Sequence, residues 1–238
     1  MYDKAFFDLQ LDFAEAVAAL AGIPLAQAVL DYTNIYVRLG LGRAFDSRHP
    51  IWIEYAAGLG GVEDPREWTY RFYARLSPLV TPPGVVATFG CFSYAWLDAE
   101  RIRLHFHDAD RDADSPLALD RRARRVAELG ALVGSLRAST EAPVRVVGAS
   151  WLYNLPAYRR LFPPAYLETA RRLRGRFRNM PLWGQLLDRR GGVREPAARE
   201  FRDRLRRLSS AADLDACFAL PVLALEAPAD AFRDFYGV

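Results

Sequence analysis

The sequence predicts an α+β fold, with a helical first third followed by a mixed, mostly antiparallel sheet flanked by helices. Three observations predict it. Residues 1–78 place apolar side chains at helical spacing, and from Val85 onward the apolar period falls to two. Between these stretches stands Thr81-Pro82-Pro83-Gly84, a run that interrupts both helix and strand. The expected division is a helical part over residues 1–80 and a sheet-containing part over 81–238. The joint is short, so the two are expected to pack as one unit.

In the first part, Phe6, Leu9, Phe13, Val17 and Leu20 form one helical stripe that Gly22 ends. A second helix runs from Pro24 to Gly40 and buries Leu25, Val29, Tyr32, Ile35, Tyr36 and Leu39. Pro50 opens a third. Asp64, Pro65 and Glu67 have capping-box spacing ahead of a fourth, whose Trp68, Phe72 and Leu76 face inward. In the second part, residues 85–96 and 101–107 alternate around the polar turn Leu97-Asp98-Ala99-Glu100 and read as a hairpin. Residues 108–116 read as a loop. Ser115 and Pro116 start a long helix to about Arg137. Residues 144–154 read as a strand, 156–162 and 164–173 as helices, and 181–188 as strand-like. Glu195–Leu208 is a charged helix, and Pro228 begins a closing one. A last strand covers 217–226, where Pro221 points to an edge or a bulge.

Composition narrows the function classes. The chain of 238 residues is 51% hydrophobic and 26% charged, with net charge +3, so no strong field favours nucleic acid or an anionic membrane. Lys4 is the only lysine; arginine supplies the other basic side chains. Cys91 and Cys217 stand far apart in apolar surroundings, and no CxxC pair occurs, so both are expected to be buried free thiols. The N-terminal stretch carries acids within its apolar run, unlike a signal peptide, and no run approaches a membrane span. A cytoplasmic protein with a small-molecule ligand, and with neither nucleic acid nor membrane as partner, is expected.

The most informative segment is Arg101–His107. Ile102, Leu104 and Phe106 share one face, and Arg101, Arg103, His105 and His107 the other. A turn centred on Asp98-Ala99 would set Trp96 by Arg101, Tyr94 by Arg103, Phe92 by His105 and Gly90 by His107. The result would be a cationic strip with aromatic walls and a notch at Gly90, suited to a carboxylate or phosphate. The plain alternative is a solvated sheet face, and a one-residue slip would dissolve the pairing.

Other patterns in the chain carry weaker signals. His105 and His107 with Asp108 or Asp110 could make a ligand set for a metal-dependent enzyme, but no metal is predicted from so short a spacing. Asp108, Asp110, Asp112 and Asp114 lack the glycine and glutamate of a calcium loop. Gly148-Ala149-Ser150-Trp151-Leu152 lacks the second glycine of a nucleophile elbow. Leu39-Gly40-Leu41-Gly42 follows a helix and reads as a cap. The arginines at 121, 122, 124 and 125 and those at 202, 204, 206 and 207 read as solvated helix faces. The run from Arg171 to Arg178 is the least compensated.

A strand ending LHFH, then SPLALDRRARRVAELGALV, then VVGASWLYNLPAYRRLFPPAYLETARR resembles the C-terminal half of bacterial GNAT-like acyltransferase-domain proteins. The likeness spans roughly residues 102–180. It implies a GNAT-like mixed, mostly antiparallel sheet whose strands splay to hold acyl-CoA. No glycine-rich [RQ]xxGx[GA] loop follows a strand here. The start of the helix at Asn154–Ala157, with Arg159 and Arg160, is the expected phosphate contact. The implied activity is acyl transfer to an unknown small acceptor. His105 or His107 would be the base and Tyr153 the acid on the leaving thiolate, with Tyr94, Trp96, Arg103, Ser150, Trp151 and Asn154 about the substrate. A non-catalytic binding or assembly protein on the same fold is the alternative.

Overall fold

A computed structural model of the chain describes residues 2–76, 84–110, 114–137, 143–175, 177–178 and 180–238. The expected joint at Thr81-Pro82-Pro83 and Asp112 of the acidic loop lie outside these residues. In chain order the elements are α1 (Lys4–Ala21), α2 (Leu25–Tyr32), α3 (Ile35–Arg38), α4 (Pro50–Gly61), α5 (Pro65–Leu76), β1 (Ala87–Phe89), β2 (Phe92–Trp96) and β3 (Arg101–Phe106). They continue as α6 (Arg122–Arg137), β4 (Arg145–Ser150), α7 (Pro156–Arg159), α8 (Pro164–Leu167), β5 (Arg171–Leu173), α9 (Met180–Trp183), α10 (Glu195–Arg206), β6 (Val222–Pro228) and α11 (Ala229–Tyr236). Among the described residues no single helix is long and apolar enough to cross a membrane.

The chain divides into two units, Met1–Thr81 with Arg174–Leu220, and Pro82–Leu173 with Pro221–Val238. Residues 174–220, expected with the sheet, group instead with the N-terminal helices. Aromatic packing is the reason. The Phe13 ring of α1 lies 5.3 Å from Phe177, 5.5 Å from Trp183 and 5.6 Å from Phe218, centroid to centroid. Phe201 of α10 joins the same cluster. Such contacts each add to the area they bury. The stripe on α1 is buried at Phe6, Leu9, Phe13 and Val17, while Leu20 is exposed. Gly22 ends the helix at φ 65°, a left-handed cap that glycine adopts without strain.

The expected single helix over 24–40 is two. Thr33 Oγ1 donates to the Val29 carbonyl (2.7 Å), and the buried Gln10 side chain accepts from Asn34 N–H (2.9 Å). Thr33 N–H still bonds the Val29 carbonyl, but Asn34 N–H goes to Gln10 and Ile35 N–H to Thr33 Oγ1 in place of the main-chain bonds of a continuous helix, so the chain turns there. Asp64 caps α5 by accepting from Arg66 and Glu67 N–H, at 2.9 and 3.0 Å. Across the helices, Arg66 reaches Asp12 and Glu15, and Arg202 also reaches Asp12.

The second unit is a six-stranded mixed sheet of order β1-β2-β3-β4-β6-β5, in which only β3 and β4 run parallel. The segment 85–96 is not one strand. Gly90, at φ 57°, and Cys91 make a two-residue turn, closing the pair Phe89↔Phe92. Residues 151–154 form a 3-10 turn rather than strand, 171–173 pair as β5, and of 181–188 the residues to Leu186 are helical turns while Leu187 makes an isolated antiparallel bridge with Val193. The last strand begins at Val222, after a 3-10 turn over Ala211–Cys217. Pro221 therefore stands just outside it, and β6 is an interior strand between β4 and β5, not an edge. One sheet face carries Phe92, Tyr94, Ile102, Leu104, Val146, Leu225 and Ala227. These bury against Leu129, Leu132, Val133 and Leu136 of α6, the tyrosines of residues 153–166, and Phe232 of α11.

Candidate functional site

The two parallel strands do not stay together. They pair only at Arg101↔Arg145, Ile102↔Val146 and Arg103↔Val147, while β3 continues to Phe106 and β4 to Ser150. On the outer sides, β2 follows β3 to Phe106 and β6 follows β4 to Ser150. A wedge therefore opens between Leu104–Phe106 and Gly148–Ser150, at the carboxyl ends of both strands. Main-chain groups lining such an opening need partners other than each other.

On its inner face the wedge meets tyrosines. Tyr153 and Tyr166 hydroxyls bond at 2.8 Å, and a Cβ on Gly148 would lie 2.1 Å from either oxygen. Only glycine at 148 lets both hydroxyls come against the strand. The Phe106 ring stands 5.4 Å from Tyr158, whose ring in turn lies 5.1 Å from that of Tyr153, tilted by 59°. Burial, then the neighbouring Tyr166, pushes the Tyr153 phenol well above its ordinary range; burial and Tyr153 do the same to Tyr158. Both stay protonated at neutral pH. On the other face, His105 of β3 lies opposite Ser93 and Arg103 opposite Ala95. Ala149 of β4 shares that face by alternation along the strand, so small side chains border His105.

The register places the predicted site residues differently from expectation. Trp96 pairs with Ile102, Tyr94 with Leu104, Ser93 with His105 and Phe92 with Phe106. This is a one-residue slip from the expected pairing, and it puts the aromatic side chains on the core face, away from Arg103 and His105. The aromatic-walled cationic strip does not form. Gly90 leaves no notch either: a Cβ there would meet the Glu128 carboxylate at 2.0 Å. His107 lies beyond the strand, exposed, with its main-chain N–H on the Cys91 carbonyl. Ser150 accepts from Leu152 N–H (3.1 Å) and caps the 3-10 turn that carries half-buried Trp151. Asn154 donates to the Trp151 and Pro221 carbonyls at 2.7 and 2.8 Å. Arg159 donates to the Tyr153 carbonyl and Arg160 to the Leu117 carbonyl. Tyr94, Tyr153 and Ser150 thus share one face of the sheet with the core, and Arg103 and His105 share the other.

A second cluster was missed in the sequence. Arg125, read as part of a solvated helix face, is 0% exposed. Its guanidinium donates to Asp110 Oδ2 (3.0 Å), to Glu128 Oε1 (2.7 Å) and to the Cys91 sulfur. Arg121 and Arg124 each reach Asp110 at 3.2 Å, and Glu128 Oε2 accepts from Cys91 N–H at 3.0 Å. Burial works to raise the Asp110 carboxyl, but the arginines outweigh it, led by Arg125, and hold it below its ordinary value. The Cys91 thiol is raised by burial, against the pull of the Ala109 main chain and Arg125. The signal was present: Arg125 stands four residues before Leu129 on the same stripe as Leu132 and Leu136. Both cysteines are buried and unbridged. Among the described residues no group of three or more His, Cys, Asp or Glu is placed to hold a metal ion.

Comparison with family models, curated proteins and solved structures finds no match to this chain.

Proposed function

We propose that the chain is an acyl-CoA-dependent acyltransferase with a GNAT-like sheet domain, acting on a small acceptor. The observation that carries the reading is the wedge between β3 and β4. An antiparallel meander leads through a helix to a parallel strand that separates from its neighbour, and the final strand inserts beside it. A thioester arm bearing amides would lie in that wedge as an added strand, pairing with main-chain groups that the two strands no longer offer each other. The acceptor amine would attack the thioester carbonyl and lose a proton to His105 on the face away from the aromatic core. The departing thiolate would take a proton from Tyr153, whose hydroxyl lies against the strand at Gly148.

A second reading is a non-catalytic binding or assembly protein. One observation favours it: His105 and Tyr153 stand on opposite faces of the sheet, and Ser150, Asn154, Arg159 and Arg160 are already bonded within the chain.

Calorimetric titration with acetyl-CoA and longer acyl-CoAs, alongside a thiol-release assay over a panel of amines, separates the readings. The acyltransferase reading expects binding, and turnover reduced at least tenfold by His105→Ala at unchanged acyl-CoA affinity. Binding without turnover on any amine supports the second reading. No acyl-CoA binding at millimolar concentration sinks the first.

A further inference from the structure

The Asp110 carboxylate is held in an unusual way for a side chain on an irregular loop. Three guanidiniums converge on its two oxygens: Arg124 at Oδ1 (3.2 Å), Arg121 at Oδ2 (3.2 Å) and Arg125 at Oδ2 (3.0 Å) and Oδ1 (3.5 Å). All three belong to one short stretch, the last residue of a 3-10 turn and the first turn of α6. Arg124 and Arg125 do not depend on Asp110 alone for their placement. Glu128 holds Arg125 at 2.7 Å and Arg124 at 3.3 Å from the other side, and is itself fixed by Cys91 N–H. Arg125 is further fixed by its bond to the Cys91 sulfur. The donors therefore form a preset cup, and Asp110 is the anion within it.

We propose that Arg121, Arg124 and Arg125 form a receptor for a phosphate group, with Asp110 as its internal occupant. Guanidinium forks match phosphate oxygens as well as they match a carboxylate, and a tetrahedral group offers more acceptor oxygens than a carboxylate does. The site is closed as it stands, with the side chains of Asp110, Arg125 and Arg121 2%, 0% and 17% exposed, and Arg124, 61% exposed, is the side from which a ligand would enter once Asp110 leaves. Asp110 lies four residues beyond the end of β3 at Phe106 and pairs with no strand, so it can be displaced without unpicking the sheet. The contact is self-inhibitory: an external phosphate binds only as far as it outcompetes Asp110. This inference stands apart from the acyltransferase reading, since it concerns phosphate alone.

The test uses the full chain with Asp110→Ala and Asp110→Asn, with inorganic pyrophosphate as probe and chloride at matched ionic strength as control. Asp110→Ala should melt below the parent in chloride. Pyrophosphate should raise its melting temperature by about 3–5 °C for each tenfold rise in concentration near saturation. The parent should respond at least tenfold higher in concentration. Asp110→Asn should fall between the two, and Asp110→Ala with Arg124→Ala should lose the response. An equal response in parent and Asp110→Ala would mark a general salt effect and overturn the proposal. So would a folded Asp110→Ala that ignores pyrophosphate, or one that stays unfolded in its presence.

Discussion

Replacing Gly148 by alanine tests the wedge directly. The new Cβ would stand 2.1 Å from the hydroxyl oxygens of Tyr153 and Tyr166 and 2.8 Å from the Tyr153 Cζ, well inside contact distance. Neither ring can yield alone, because Tyr153 packs against Tyr158 and Phe162, and Tyr166 against Phe162 and Phe232. Forcing the hydroxyls apart breaks their 2.8 Å bond, a loss of about 0.5–1.5 kcal/mol. Overpacking of a filled core adds about 1–3 kcal/mol. The sum is about 2–4 kcal/mol, which at a urea slope near 2 kcal/mol/M lowers the midpoint by roughly 1–2 M. Urea unfolding followed by near-ultraviolet circular dichroism reads the tyrosine packing. Adding Tyr153→Phe and Tyr166→Phe to Gly148→Ala should restore part of the loss, since the oxygens go but the Tyr153 ring edge stays close. A Gly148→Ala midpoint equal to that of the parent would refute the packing described for the wedge.

Arg125→Met should lose about 3–5 kcal/mol, because it leaves Asp110 and Glu128 buried without their shared partner; adding Asp110→Asn and Glu128→Gln should recover much of it in the same urea assay. Burial pushes the Cys217 thiol from 9.0 up to about 11. A folded value above the unfolded one means stability is full below pH 9 and declines as pH rises toward 11, and Cys217→Ala should flatten that decline in melting curves. Both thiols should label slowly with iodoacetamide in the native protein and rapidly in urea.

The change from helix to sheet was readable because apolar spacing reports which face is buried, and Phe6, Phe13 and Val17 or Ile102 and Leu104 bury as that spacing requires. The register was not. The hairpin was centred by turn composition alone, whereas Asp98 bonds Glu100 and Arg101 N–H and shifts the pairing by one residue. Gly90 in an alternating run gave no sign of its positive φ, so two strands read as one. The aromatic residues Phe177, Trp183, Phe201 and Phe218 are too scattered along the chain to announce that they surround Phe13. Arg125 was legible from its place in an apolar stripe, but the surrounding run of arginines suggested solvent. At the candidate site, His105 and Tyr153 were singled out by type. Which sheet face each occupies depends on the register and on the 3-10 turn at Trp151–Asn154, which no short-range pattern encodes.

The interleaving of the two units bears on how the chain matures at the ribosome. The helices of the first 76 residues emerge long before Trp183, Phe201 and Phe218, so Phe13 waits for its partners through the synthesis of most of the sheet. The sheet waits too, because β6, which separates β4 from β5, is the last of its strands in chain order. Neither nascent core can close until synthesis nears the C-terminus, and cutting the chain at any single point leaves at least one unit incomplete. Until then the aromatic face of α1 lacks the residues that cover it.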